Sequence, residues 1–370
     1  MYGGLRENIV VEEGRIAEFS DRTAETDRES FDAAGSLIFP GFIDVHTHGA
    51  IGVDVNAASS DELMKVAAFL ARNGVTAWVP TLVPDSDENY RRVIGEIDRL
   101  MEMQEGRPVA QAVGVHYEGV FANEKMCGAL RPEYFKKYTG GELAELPRLK
   151  SGVHMMTFAP EVEGGIELAA EFVRQGWIAS IGHTRADTET LDKAFTAGAR
   201  HMTHFFNAMT GIHHRDIGVA GWGLKTDPVT FDIIADGVHV HPEMLELVCR
   251  AKTPGKVTLI SDSVAPAGLG DGEFEAWGEK IVVEGGRTRN ERGSIAGSVI
   301  TMHDAFVRMR SLGFSESEVA QMASSSPAKL LGLEDSRGSI EAGKRADLVG
   351  VSDEGAIKFV MIGGEFVDLD

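Results

Sequence analysis

Six side chains able to bind a metal ion or move a proton recur where apolar runs of this chain meet loops: His46, His48, Glu118, His183, His204 and Asp262. His46 and His48 close the run Phe42–His48 with one residue between them. Side chains two apart on a strand share a face, so both imidazoles can reach one ion. Imidazole and carboxylate are the donors that zinc, iron, manganese and cobalt prefer. A lone histidine such as His154 or His201 reads as structural; the recurrence of the set is what points to metal. Two ions about 3.5–4 Å apart need a bridging anion between them. The run His154–Pro160 ends without a lysine that could be carbamylated for this role, which leaves Glu118 as the bridge. His46 and His48 then complete one site, and His183 and His204 the other. The set implies a divalent transition metal, two ions per subunit, with zinc and iron equally suited. Asp262 is the proton carrier in this reading, because its carboxylate can accept a proton from metal-bound water, whose pKa falls towards ~7 on zinc.

Eight apolar, strand-like runs carry these residues: Phe42–His48, Val75–Val83, Ala112–Glu118, His154–Pro160, Trp177–His183, His201–Phe206, Thr230–His239 and Lys256–Asp262. Helical patterns lie between most of them. Asp61–Asn73 has Leu63, Met64, Ala67, Ala68 and Leu70 at helical spacing and stops at Gly74. Asp187–Ala197 and Pro242–Ala251 are similar, with Pro242 suited to a first turn. The segment 208–229 is Gly-rich and reads as irregular. Strands alternating with crossovers predict a (β/α)8 TIM barrel, in which chemistry sits at the C-terminal strand ends. An insertion at about 266–298 carries strand-like pieces such as Lys280–Val283, and helical patterns follow at Thr301–Leu312 and Ser315–Leu331. Short strands mark both ends of the chain: Asn8–Val11, Arg15–Phe19 and Ser36–Phe39, then Ala346–Val351 and Ile357–Ile362. The two ends are expected to pair into a small β-sandwich domain, residues 1–39 with 334–370, beside a catalytic barrel of residues 40–333.

Charge narrows the partners. The chain carries 36 basic and 57 acidic residues, a net charge of -21. That balance argues against nucleic acid or an anionic membrane as the main partner, and an anionic substrate would need a local basic pocket. Two cysteines, Cys127 and Cys249, are too few for a disulfide framework and suit a reducing compartment. Met1–Glu7 lacks a basic-then-apolar leader pattern, and no apolar run is long enough for a membrane span, so the expected location is cytoplasmic.

The motifs Pro40–Gly49, His116–Gly119, Gly182–Thr184, Thr203–Met209, Ala235–His239 and Ser261–Gly268 resemble those of the N-acetylglucosamine-6-phosphate deacetylase family of the amidohydrolase superfamily. The likeness continues through Gly297–Met302, Ser326–Ala328 and Gly338–Leu348, and so covers almost the whole chain. The stretches His204–Met209 and Asp262–Gly268 are the discriminating ones. The resemblance implies hydrolysis of the N-acetyl group of an amino-sugar 6-phosphate, with release of acetate. It implies that Glu118, His183 and His204 hold the metal common to all members and that His46 and His48 add a second. Asp262 would be general base and then the acid that protonates the leaving amine. Asn207 and Ala208 would contact the substrate, and Arg215 and His239 its phosphate, with the phosphate ligands contributed across a homodimer.

Physical chemistry supports the phosphate assignment independently. His213, His214 and Arg215 place cationic capacity on one loop, and Arg suits phosphate through paired hydrogen bonds. Three stretches depart from the family pattern. Val120 stands where a proline usually follows His-x-Glu-Gly, and Thr210-Gly211 replaces a proline-containing turn. In the loop Lys125–Leu130, Ala129 and Leu130 occupy the neighbourhood of a His or Gln that helps to polarise the acetyl carbonyl. The competing readings are a related amidohydrolase acting on N-acetylgalactosamine 6-phosphate or an N-acyl amino acid, and a non-catalytic barrel scaffold.

Overall fold

The computed structural model describes residues 8–20 and 30–370. The Met1–Glu7 stretch, read above for a leader pattern, lies outside the described residues, as does 21–29. No helix among the described residues is long and apolar enough to cross a membrane.

Eight parallel strands run in chain order around a barrel: Phe42–Thr47, Val75–Leu82, Gly114–Phe121, Val153–Phe158, Ile178–Ile181, His201–Met202, Thr230–Ile234 and Val257–Ile260. A two-residue strand, Gln111–Ala112, pairs only with the second of them. The eighth strand closes against the first through polar bonds at its C-terminal end. Ser261 Oγ donates to Asp44 Oδ2 at 2.5 Å, the Asp262 amide to the His46 carbonyl at 2.9 Å, and the His48 amide to the Ser263 carbonyl at 2.7 Å. Barrel closure and the placement of Asp262 beside the two histidines are therefore the same event.

Local chemistry sets the helix bounds. Ser60–Arg72 starts at a capping box in which Ser59 and Glu62 satisfy each other's backbone amides. Pro242–Lys252 opens on Pro242, whose missing N–H costs nothing in a first turn. Thr188–Ala197 ends on Gly198 at φ 115°. The segment 208–229 is irregular at both ends but holds a helix, Gly218–Lys225, and this corrects the sequence reading. Its three glycines disguise it, since their low helix propensity is overridden by burial of Val219, Ala220 and Trp222. The pattern Ser315–Leu331 is helical without a break over 316–330, with a π-helical turn, Gln321–Ser325, set between Glu316–Ala320 and Ser326–Leu330.

Strands from both ends of the chain share one antiparallel sheet, in the order Glu365–Phe366, Ile357–Ile362, Leu348–Val351, Leu37–Pro40. The hairpin Asn8–Glu12 with Arg15–Ser20 packs on it through Ile16, Ala346, Leu348 and Phe359. Its Ile16 amide donates to the Lys344 carbonyl at 2.9 Å. Asp347 is the polar hub of this region. It accepts from Arg337 Nη1 at 2.6 Å, Arg345 Nε at 3.4 Å and the Gly363 amide at 2.8 Å, and its own carbonyl receives the Gly41 amide at the barrel entrance. Arg337 is itself largely enclosed, and its removal from water pulls its guanidinium below the ordinary range. Asp347→Ala is thus expected to strand a buried cation and destabilise the fold by about 3–5 kcal/mol, read by urea unfolding. A loss under about 1 kcal/mol would show that the hub is solvated rather than structural.

The insertion forms a three-stranded antiparallel sheet, Gly272–Ala276, Glu279–Glu284 and Arg287–Asn290. It reaches the C-terminal mouth of the barrel, where Trp277 in its first turn meets the His48 ring edge-on with centroids 5.2 Å apart.

Candidate metal centre

All six predicted metal and proton-carrying residues converge at the C-terminal mouth of the barrel, and all are buried. Glu118 stands in the middle. Its Oε1 lies 3.0 Å from His183 Nε2 and 2.9 Å from His204 Nε2, while its Oε2 lies 3.2 Å from His48 Nε2. His46 Nε2 is 3.6 Å from Glu118 Oε1 and 3.4 Å from Asp262 Oδ1, and His48 Nε2 is 3.3 Å from the same Asp262 oxygen. Two triads result, His46–His48–Glu118 and Glu118–His183–His204, each with its donor atoms within 4.8 Å of one another.

Two of the rings are aimed into the cluster by their other nitrogen. His48 Nδ1 faces the Thr81 carbonyl at 3.2 Å and His183 Nδ1 the Met126 carbonyl at 2.7 Å. A carbonyl only accepts, so both Nδ1 atoms carry hydrogens, and the neutral ring turns its Nε2 lone pair inward. The Nε2 atoms lie 3.1 Å apart for His46 and His48 and 3.0 Å apart for His183 and His204, so each pair shares either a proton or a cation. A set of imidazoles and carboxylates so placed suits a divalent transition metal.

Without metal, protons take that place. Burial alone would push the His48 imidazole down, but its contacts with Asp262 and Glu118 outweigh burial and raise it to about 10. His204 is raised to about 9 against the same desolvation, chiefly by Glu118. Burial would raise the Glu118 carboxyl, but His46, His183 and His204 hold it well below the usual carboxylate range. Both imidazoles therefore remain protonated at pH 7 in the metal-free chain, and metal must displace those protons. Metal affinity should rise with pH up to about 9–10. Calorimetric titration of the metal-free protein in buffers of different ionisation enthalpy should show net proton release; identical heats in all buffers would contradict it.

Three of the six residues sit in the left-handed region of backbone space: His183 at φ 47°, His204 at φ 31° and Asp262 at φ 47°. For residues other than glycine this costs about 1–3 kcal/mol each and persists only when the surroundings impose it. The Ser298 amide donates to the Asp262 carbonyl at 2.7 Å. That approach requires a glycine beside it, because a Cβ on Gly297 would lie 2.8 Å from the same carbonyl oxygen. The His204 amide is held by Asp232, whose other oxygen lies 3.1 Å from His201 Nε2.

Asp232 is a supporting residue of the cluster that the sequence reading missed. A lone acid inside the apolar run Thr230–Ile234 was the available signal, since a charge buried in a strand needs a reason. The Thr81 and Met126 carbonyls carry no such signal, because any residue supplies a carbonyl. Trp277 lies in an insertion whose docking no local pattern reveals.

The predicted substrate contacts are placed less closely. Asn207 and Ala208 follow His204 directly, with the Asn207 amide donating to the His204 carbonyl at 2.9 Å and Ala208 at φ 50°. Thr184 donates to the Ala208 carbonyl, tying this turn to the one that bears His183. His239 is nearly enclosed and is paired through Nδ1 with Asp236 Oδ2 at 2.7 Å. Arg215 is exposed and donates to the neighbouring His214 ring at 2.5 Å. Among the described residues, no hydrogen bond or ion pair joins Arg215 to His239, or either of them to the cluster. Leu130 is buried against Gly119, next to Glu118, and Ala129 packs on the small cluster of Ala265, Ala276, Ile281 and Ala296.

Residues 37–367 match the model of the Amidohydrolase family. The chain is 35% identical over 352 residues to the N-acetylglucosamine-6-phosphate deacetylase of Bacillus subtilis (strain 168), covering 94% of this chain and 89% of that protein. It is 34% identical to the N-acetylgalactosamine-6-phosphate deacetylase of Escherichia coli O157:H7, covering 89% and 87% of the two chains. The crystal structure of N-acetylglucosamine-6-phosphate deacetylase from Thermotoga maritima superposes with a TM-score of 0.87 at 32% identity, over 97% of this chain and 94% of that one. A closed eight-stranded parallel barrel, a shared glutamate between two histidine pairs, and near full-length likeness agree: this chain belongs to the amidohydrolase family, in its N-acetylglucosamine-6-phosphate deacetylase branch.

Proposed function

We propose that this chain hydrolyses the N-acetyl group of an amino-sugar 6-phosphate, converting N-acetylglucosamine 6-phosphate to glucosamine 6-phosphate and acetate. The observation that carries the reading is the pair of buried triads sharing Glu118, with Asp262 against one of them. A divalent transition metal held there, zinc or iron and two ions per subunit in this reading, would activate water at neutral pH and polarise the acyl C=O. Glu118 stays ionised because the surrounding histidines hold its carboxyl low, so it remains a ligand rather than an acid. Asp262 is also held below its ordinary range, against its burial, by His46 and His48. Its ionised Oδ1 is therefore ready to receive the proton of the attacking water and pass it to the departing amine, an exchange that leaves the carboxylate as it began.

The phosphate is assigned to Arg215 and His239, with Asn207 and Ala208 lining the sugar site. The exposure of Arg215, together with that of Ile212 and Ile217 on the same loop, supports a homodimer in which this loop reaches a partner's site. Residues 1–39 with 334–370 as a small β unit, and 40–333 as the catalytic barrel, complete the proposal. A cytoplasmic setting fits the small polar substrate.

Acetate release from N-acetylglucosamine, N-acetylgalactosamine and their 6-phosphates, using zinc- or iron-loaded protein, tests the reading. Likeness to the E. coli relative makes the galacto substrate the specific alternative, and the ratio of kcat/KM values decides between them. Arg215→Ala should raise KM for the phosphorylated sugar by about 10–100-fold, the worth of a charge-assisted hydrogen bond, and leave unphosphorylated turnover nearly unchanged. Equal damage to both would remove Arg215 from phosphate binding.

A further inference from the structure

The N-terminal face of the barrel, opposite the metal centre, holds a cavity of about 590 Å3. Its walls come from residues that precede or begin strands: Trp177, His201, Thr230 and Lys256. A volume of that order suits a small organic ligand rather than a single water. The charge around it opposes that of the whole molecule. Arg200, Lys256 and Lys329 line it against one acid, Asp227, in a chain of net charge -21. Asp227 is already bonded to Lys256, while Arg200 and Lys329 have no acidic partner among the described residues. Arg200 spends one nitrogen on the Phe195 and Ala199 carbonyls and lies flat on the Phe195 ring, which fixes its guanidinium at the rim.

Cations without acidic partners around a cavity describe a site for an acceptor-rich anion. The floor also reaches the catalytic face. His201 bonds to Asp232, and Asp232 receives the His204 amide.

We propose that this cavity is a second binding site, for a small molecule carrying a phosphate group, distinct from the phosphate contacts of the catalytic mouth. Gly255 provides a way to close it. A Cβ there meets only Gln321 Oε1 at 3.5 Å, and the backbone does not need glycine, so a larger side chain can enter the cavity without strain.

Inorganic phosphate titrated calorimetrically into the metal-loaded full chain is the test. Arg215→Ala should retain phosphate binding at this site. Lys329→Glu and Gly255→Leu should each weaken that binding by about tenfold or more, the scale of one charge-assisted contact, while kcat and KM for the acetylated sugar phosphate stay within about twofold. Unchanged kinetics in these two variants also report an intact fold. Loss of all phosphate binding in Arg215→Ala, or binding unaffected by both Lys329→Glu and Gly255→Leu, would overturn the proposal.

Discussion

Asp262→Asn is expected to keep its metal and lose about 10²–10⁴-fold in kcat, the range supplied by a positioned general acid and base. Asparagine has almost the same shape and can still offer an oxygen to the cation, but its amide cannot take up a proton. It also tolerates the left-handed backbone that Asp262 adopts at φ 47°, so the barrel closure through the His46 and Ser298 bonds should survive. Metal content by plasma mass spectrometry, measured beside kcat, separates the possibilities. Near-normal turnover with bound metal would remove Asp262 from proton transfer. Parallel loss of metal and activity would make it a ligand first, which its contacts of 3.3–3.4 Å to His46 and His48 also allow.

Glu118→Gln should be more damaging to metal binding than loss of any single histidine. Glu118 belongs to both triads, whereas His46 and His48 belong to one and His183 and His204 to the other. Glutamine removes the negative charge that offsets the cations and turns an N–H donor towards ring nitrogens that need an acceptor or an ion. Metal affinity should fall by more than about 100-fold, beyond the loss seen when only an outer hydrogen-bond partner of a ligand is removed. Activity should fall to background. His48→Ala, by contrast, should spare the His183–His204 triad and retain one equivalent. In the metal-free variant His204 loses the contact that raises it to about 9, so its titration should move down, visible as an imidazole shift by NMR. Retention of two equivalents by Glu118→Gln would show that the carboxylate is not shared.

Much of this centre was legible before any coordinates. His46-x-His48 and the acids and histidines at later run ends are separated by long stretches of chain, yet a parallel barrel brings every strand end to one rim, so ligand type plus position at a run end was enough. Run ends were less legible than run existence. Trp177–His183 and His201–Phe206 read as continuous strands, whereas pairing stops at Ile181 and Met202. His183 and His204 thus lie on left-handed turns just beyond the sheet, and apolar composition does not register the change of φ. The helix Gly218–Lys225 escaped for the related reason that burial, not propensity, forms it.

Residue type and spacing determined the fold class, the donor chemistry of the site and the identity of its six converging side chains. These depend on periodicity and on the intrinsic chemistry of imidazole and carboxylate, which each residue carries with it. Tertiary structure alone decided that Glu118 faces both histidine pairs, that Met126 and Thr81 carbonyls aim two of the rings, and that Trp277 and Asp232 support the centre. Those features arise from groups far apart in the chain and, for the carbonyls, from atoms that every residue possesses. No local pattern encodes them; they exist only once the eighth strand has closed on the first.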